Sequence, residues 1–321
     1  MDEERHESTR NILARAGLIA KKSLGQNFCQ DETVITSVVE RLAIGPNDEV
    51  WEIGPGVGAL TRILLSTSAH LRLFEIDLRL KGILETLCAS PRQNNTPGAI
   101  IHWGDVLDAD LQALHPMRTT DFSEAGRDEE LSKQQSDNFE IEAGDSKSRQ
   151  GFIFPHARDC RLLVCGNLPY YCGTAIVRHL LELKPPAQKL VFVLQEEVVQ
   201  KMAAGPGDDE YGFLSVIVQL ASQVSVGPSF PPSAFFPNPA VTSALVELRP
   251  LTISEIKRRQ CERASKIASI AFGQRRKMAL NVLKKAFPAV AWAERFENLK
   301  LSPKARAEEI SVENFLNLAT E

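Results

Sequence analysis

The chain has 321 residues, 43% hydrophobic and 24% charged, enough for about two domains with a sizeable core. Its formal net charge of −4 indicates no particular partner, and no apolar run approaches the roughly 18 residues of a membrane span. The six cysteines form no CxxC pair and have no zinc-like histidine spacing, which argues against a metal site and a disulfide scaffold. Without the apolar core of a signal peptide near the start, we expect a soluble cytoplasmic protein that binds no membrane.

The chain opens on a predicted polar arm, residues 1–20, which is weakly helical around Ile12 to Ala20 and to which we assign no chemistry. Gln26 and Asn27 follow it, ahead of a helical pattern that Asp31 could cap. Ordinary loop polarity alone would explain these two amides.

A glycine loop then follows the predicted strand Glu49–Ile53 and precedes a helical pattern. Gly54, Gly56 and Gly58 let the backbone approach a ligand and aim helix N–H groups at it. Glu75 ends the next strand, 21 residues after Gly54, where an acid can bind ribose hydroxyls. The GxGxG form favours an adenosine ligand without pyrophosphate, such as S-adenosylmethionine, over NAD or FAD. A tight turn with a solvated carboxylate is the alternative.

Asp105 follows the third predicted strand, and its carboxylate could accept a hydrogen bond from a cofactor adenine or cap a turn. Beyond it, 121–150 carries nine acids against four bases and few large apolar residues. We therefore predict a flexible surface insertion at about 119–150.

The most informative stretch is Gly166-Asn167-Leu168-Pro169-Tyr170, which follows the buried strand pattern of Leu162, Leu163 and Val164. Ligands of open α/β sheets bind beyond the carboxyl ends of the strands. An amide, a fixed proline turn and a flat phenol ring suit a planar base, and the stretch holds no obvious nucleophile, general base or metal ligand. A plain proline turn is the alternative.

Phe235 and Phe236 lie in a stiff proline-rich segment and could cover a site or simply pack in the core. From residue 252 the pattern is wholly helical, and 257–285 carries ten bases against one acid. One set of basic side chains is left for solvent or phosphate: Arg275, Arg276, Lys277, Lys284 and Lys285.

Together these motifs resemble the ribosomal RNA adenine dimethyltransferase family, in particular its kasugamycin-resistance type. The resemblance covers nearly everything from residue 22 onward except about 108–158. It rests on these segments: 24–28, 52–56, 74–77, 166–170, 194–198, 234–243 and 271–277 with Asn281. It implies an α/β class I S-adenosylmethionine-dependent methyltransferase, with a Rossmann-like, mainly parallel seven-stranded sheet at 21–251. A small all-α domain at 252–321 would bind rRNA.

The resemblance also implies roles for particular residues. S-adenosylmethionine would be bound by Gln26, Asn27, the backbone at Cys29, Gly54, Gly56, Glu75, Asp105 and Asn167. The catalytic residues would be Asn167 and the Pro169 carbonyl, which hold the target adenine, Tyr170, which stacks on it, and Phe235, which stacks nearby.

The implied reaction converts two adjacent adenosines near the 3′ end of 16S rRNA to N6-dimethyladenosines in an immature small ribosomal subunit. We expect a monomer and no metal. The alternatives are a large-subunit rRNA methyltransferase of the macrolide-resistance type and a noncatalytic RNA-binding assembly or transcription factor. Tyr171 and Cys172 depart from the small polar residues common at these positions, which puts the local pocket shape in question. The acidic insertion is expected to be dispensable for folding and methylation.

Overall fold

The computed structural model describes residues 8–67, 69–89, 99–116 and 160–320. The predicted insertion at 119–150 lies outside these ranges. In the described part, no helix is long and apolar enough to cross a membrane.

A seven-stranded sheet forms the centre of the described structure, and two short strands pair outside it. Numbered along the chain, the strands are β1 (Phe28–Cys29), β2 (Glu49–Ile53), β3 (His70–Glu75), β4 (Ile100–Trp103), β5 (Leu162–Asn167), β6 (Lys189–Gln195), β7 (Ser222–Phe230), β8 (Phe235–Phe236) and β9 (Ser243–Pro250). The sheet order is β4-β3-β2-β5-β6-β9-β7, with β9 antiparallel to both neighbours and the pairs from β4 to β6 parallel. Antiparallel β1 and β8 form a separate ribbon. The mainly parallel sheet is as predicted.

Helices connect the strands and complete the C-terminal part. They are α1 (Thr9–Arg15), α2 (Glu32–Leu42), α3 (Ala59–Ser66), α4 (Lys81–Ala89), α5 (Leu111–Leu114), α6 (Gly173–Leu181), α7 (Glu196–Ala203), α8 (Phe213–Ala221), α9 (Glu255–Phe272), α10 (Ala279–Ala286), α11 (Trp292–Asn298) and α12 (Val312–Leu318). Asp31 caps α2 as expected, because its side chain accepts the Thr33 N–H at 2.8 Å.

Two apolar cores lie on the two faces of the sheet. Alternate residues of a strand point to opposite faces, so Leu163 belongs to one core while Leu162 and Val164 belong to the other. Both faces of the parallel strands are therefore buried, which explains their continuous apolar sequence.

A third core joins the C-terminal helices to the part of the chain that forms the sheet. The sheet ends at Pro250 and Ser254 caps α9, close to the predicted boundary at 252. This core nevertheless includes Tyr211, whose hydroxyl donates to the Ile310 carbonyl at 2.9 Å. The helical domain thus packs on residues that precede the boundary.

The prediction of a separate polar arm at residues 1–20 is corrected from Thr9 onward. Helix α1 covers Thr9–Arg15 instead of Ile12 to Ala20 and buries Ile12 and Leu13 in a cluster with Phe28. A single apolar pair in a short helix gives little periodic signal, so the sequence pattern did not reveal this packing.

Candidate active site

A pocket lies at the carboxyl ends of β2, β3 and β5, where the sheet order places the loops after these strands side by side. It is lined by every predicted cofactor residue and by three of the four predicted catalytic residues: Gln26, Asn27, Cys29, Gly54, Gly56, Glu75, Asp105, Asn167, Pro169 and Tyr170. The fourth, Phe235, is absent from the lining.

Glu75 fixes the glycine loop. Its side chain is buried, and its two carboxylate oxygens accept the N–H groups of Gly56 at 3.0 Å and Asp77 at 2.8 Å. Burial raises the pKa of Glu75, while these backbone donors oppose the shift. Gly56 has φ +60°, and a Cβ there would lie 2.7 Å from Cδ1 of Phe28. Only glycine allows the loop to pass this close to the ring.

Asp77, which our sequence reasoning did not single out, anchors the loop that carries Asn27. Its Oδ2 accepts the Gln26 side-chain N–H at 2.7 Å, and Arg79 donates to both of its oxygens. The side-chain oxygen Oε1 of Gln26 in turn accepts the backbone N–H of Lys21 at 2.8 Å. Gln26 therefore uses both ends of its amide to hold the pocket wall. The sequence signal for Asp77 was its place in segment 74–77, two residues after Glu75.

The amide of Asn167 has a defined orientation. Its Nδ2 donates to the Asn27 carbonyl at 2.6 Å, and a carbonyl can only accept, so Oδ1 of Asn167 must be the other end. Gly166 makes this arrangement possible, because a Cβ on it would lie 2.3 Å from the Ile53 carbonyl oxygen. The orientation leaves Oδ1 as an acceptor within the pocket lining.

The predicted use of the Pro169 carbonyl is corrected by the turn that follows it. This oxygen accepts the N–H groups of Cys172 at 3.3 Å and Gly173 at 2.9 Å, so both lone pairs are used. The preceding Leu168 also lines the pocket, and its backbone N–H donates to Val193. Within the described residues, no backbone N–H donates to the Leu168 carbonyl. This oxygen is therefore a better candidate than the Pro169 oxygen to accept a hydrogen bond from a target base alongside Asn167.

Tyr170 is half-buried, and its hydroxyl pairs with the Ser243 hydroxyl at 2.7 Å. Burial raises the pKa of Tyr170, so the phenol stays neutral at physiological pH. The hydrogen bond ties the ring to β9 and limits its rotation.

The predicted stacking role of Phe235 is not supported. Phe235 is fully buried in a sheet core and pairs with Cys29 across the β1–β8 ribbon. Its ring therefore has no accessible face for a base. Its neighbour Phe236 is half-buried and lies under the Arg10 guanidinium, 5.5 Å from the ring centroid.

Asp105 and Cys29 each use one oxygen in a hydrogen bond within the protein. Asp105 Oδ1 accepts the Leu107 N–H at 2.9 Å, so the turn-capping alternative holds for that oxygen while Oδ2 remains an acceptor. Burial raises the pKa of the Cys29 thiol to about 12, so the thiol is neutral at physiological pH. The backbone carbonyl of Cys29 accepts a hydrogen bond from the Thr9 hydroxyl at 3.2 Å.

The five predicted RNA-binding side chains are all exposed. Arg275, Arg276 and Lys277 lie in the turn after α9, which ends at Phe272, so the helix expected through them is corrected. Arg275 Nε lies 4.0 Å from a Glu308 carboxylate oxygen. Lys284 and Lys285 project from α10, whose other face is buried.

Over the described ranges, no group of three or more His, Cys, Asp or Glu side chains could hold a metal ion.

Comparison with known proteins decides the family. The family model described as ribosomal RNA adenine dimethylase matches residues 17–321. The chain belongs to this family. Ribosomal RNA small subunit methyltransferase A of Dechloromonas aromatica is 31% identical over 304 residues, which cover 94% of this chain and 98% of that protein. The protein of the same name from Latilactobacillus sakei is 32% identical over 320 residues, 98% and 93% of the two chains.

Two solved structures share the fold. A dimethyladenosine transferase from Plasmodium falciparum has a TM-score of 0.66 at 18% identity and covers 91% of this chain and 95% of its own. The 23S rRNA methyltransferase ErmE has a TM-score of 0.59 at 21% identity, with 91% and 98% coverage. Both confirm the class I methyltransferase fold.

Membership of the ribosomal RNA adenine dimethylase family also confirms the predicted activity. The chain is an S-adenosylmethionine-dependent rRNA adenine dimethyltransferase, and S-adenosylmethionine is its methyl donor. The small-subunit relatives favour the main prediction over the large-subunit and noncatalytic alternatives.

Proposed function

We propose that this enzyme dimethylates N6 of two adjacent adenosines near the 3′ end of 16S rRNA, acting as a monomer on an immature small subunit in the cytoplasm. The names of its relatives from Dechloromonas aromatica and Latilactobacillus sakei support the small-subunit substrate. The observation that carries the chemical part is the fixed orientation of the Asn167 amide.

The pocket fits an adenosine-containing donor. The Glu75 carboxylate would bind the ribose hydroxyls, since a carboxylate has about four lone-pair sites and the Gly56 and Asp77 N–H groups leave acceptor capacity. Asp105 Oδ2 would accept from the adenine amine, and the Gly54 to Gly56 loop would line the ligand with backbone. S-adenosylmethionine, when bound, supplies an electrophilic methyl group.

The target amine would be held by two carbonyl oxygens. The lone pair of an adenine amino group is delocalised into the ring. Hydrogen bonds from its two N–H groups to Asn167 Oδ1 and the Leu168 carbonyl would localise that lone pair on nitrogen. Tyr170, tied to Ser243, would stack on the base after it leaves its RNA neighbours. Positioning and electrostatics supply the catalysis, because the proton is lost readily once nitrogen carries the new bond.

The exposed basic side chains of the C-terminal part would bind the rRNA backbone. Arg275, Arg276 and Lys277 project from one turn, with Lys284 and Lys285 on the following helix. Five cationic side chains between positions 275 and 285 suit the phosphates of an RNA backbone. Contacts to phosphates supply affinity for RNA that does not depend on its sequence.

The decisive experiment incubates the protein with labelled S-adenosylmethionine and unmodified small subunits, then maps the label. We expect label at N6 of two adjacent adenosines of 16S rRNA. Asn167→Ala should lower turnover about 100- to 1,000-fold, as loss of a positioned polar group does, while RNA affinity is retained.

An exposed asparagine at the end of α11 gives the matched control, Asn298→Ala, which should behave as the wild type. Label in another base, or no label in the small subunits, would reject the substrate assignment. Full activity of Asn167→Ala would reject the role of its amide.

A further inference from the structure

Tyr171, the residue after the substrate motif, is an exposed aromatic at the rim of the pocket. It is 61% exposed and yet lines the pocket together with its neighbour Tyr170. None of the proposed chemical steps uses it. An aromatic side chain at a pocket mouth can pack the apolar face of its ring against a bound ligand.

The backbone holds Tyr171 rigidly in place. It lies inside the turn that Cys172 and Gly173 close by donating to the Pro169 carbonyl. Gly173 then starts α6 so close to the core that a Cβ on it would lie 2.5 Å from a Leu194 methyl. These contacts restrain the turn that carries Tyr171 on the side of α6.

Across the pocket mouth, the Tyr171 ring meets Gly25 of the loop that carries Asn27. A Cβ on Gly25 would lie 3.0 Å from Cδ1 and 3.4 Å from Cε1 of Tyr171. Gly25 has φ +58°, and its loop is anchored through Gln26 to Asp77. The ring thus joins the loop after β5 to the segment before β1.

Tyr171 also lines the same pocket as Asp105, which is assigned to the cofactor. Burial raises the pKa of Tyr171, and the neighbouring Cys172 and the Asp105 carboxylate add to the shift, so the phenol is neutral. Both groups near the ring, Gly25 and Asp105, belong to segments assigned to S-adenosylmethionine.

We propose that Tyr171, packed against Gly25, closes the cofactor side of the pocket mouth and slows the release of S-adenosylmethionine. The inference rests on the cofactor residues proposed above and needs no assumption about the RNA. An opening for the cofactor that is separate from the base site would let the used cofactor leave and a new S-adenosylmethionine bind between the two methyl transfers to one amine.

The test measures dissociation of S-adenosylmethionine from the RNA-free protein by stopped flow. Loss of one aromatic contact corresponds to about a 3- to 10-fold change, so Tyr171→Ala should release the cofactor faster by that factor. Tyr171→Phe should keep the wild-type rate, because the contact uses ring carbons. Ile256→Ala, which removes an 82% exposed apolar side chain from α9, is the matched control.

A double-mutant cycle links the effect to the observed contact. Gly25→Ala should displace the ring and speed release, whereas in the Tyr171→Ala background the same change should add less than it does alone. Additive effects would refute contact-mediated closure.

An unchanged release rate in Tyr171→Ala, or a raised KM for RNA alone, would also overturn the inference and place the residue on the RNA side. Asp105→Asn separates the two proposals. If it weakens cofactor binding while Tyr171→Ala does not, the site stands and only the closure fails.

Discussion

Glu52 is a buried acid whose ionisation should set how stability depends on pH. It is 2% exposed in β2, and its Oε2 accepts the Thr61 hydroxyl at 2.7 Å. Burial raises the pKa of Glu52 to about 8; the Thr61 hydrogen bond opposes the shift and the charge of Glu75 adds to it. At neutral pH the folded protein therefore holds Glu52 protonated, whereas the unfolded chain ionises it.

The sign follows from proton linkage. Between the ordinary pKa of 4.5 and about 8, the folded state binds a proton that the unfolded state has lost. The free energy of unfolding therefore falls as pH rises through this window and stays level above it. At about 1.4 kcal/mol per pKa unit, the fall has a ceiling of about 5 kcal/mol. Glutamine resembles the protonated acid, keeps a carbonyl for Thr61 and cannot ionise.

We expect the stability of Glu52→Gln relative to the wild type to rise by several kcal/mol between about pH 5 and pH 9. Urea denaturation at a series of pH values measures this difference, and titrations common to both proteins cancel in it. Glu294→Gln, at an exposed glutamate of α11, should track the wild type. Parallel stability curves for Glu52→Gln and the wild type would refute a neutral Glu52.

Two further predictions concern residues outside the pocket lining. Phe235→Ala should lower the free energy of unfolding by about 3 to 5 kcal/mol because it empties a fully buried ring site; a selective loss of turnover at unchanged stability would instead support stacking. Replacing Arg275, Arg276 and Lys277 by Gln should weaken rRNA binding and flatten its salt dependence while cofactor affinity stays constant, as salt titrations would measure; an unchanged salt slope would contradict the phosphate contacts.

The sequence was sufficient for the sheet and most of the pocket because parallel strands are buried on both faces. Their apolar runs stand out, and each stops where a glycine or polar side chain begins, as at Gly54 and Gly166. Residues at these stops meet at one edge of the sheet. The positions of the predicted strand ends were therefore sufficient to predict that Glu75, Asp105 and Asn167 lie in one pocket.

The rest depended on contacts that local patterns do not encode. The anchoring of Gln26 by Asp77 joins positions 51 residues apart, and the sequence gives no sign of this pairing. The engaged Pro169 carbonyl follows from the start of α6, which a proline-containing motif does not predict. Burial of Phe235 depends on which face of a two-residue strand meets the core, and a strand this short has no readable alternation.

Phe235 does not line the pocket, but it is linked through the backbone to the proposed acceptor Asn167. It pairs with Cys29 in the β1–β8 ribbon, and β1 follows directly after Asn27. The Asn27 carbonyl orients the Asn167 amide at 2.6 Å. The buried ring thus holds the ribbon, the ribbon places the Asn27 carbonyl, and that carbonyl would decide which end of Asn167 the proposed target amine meets. Repacking Phe235 should therefore alter Asn167 geometry before it alters any contact with the base.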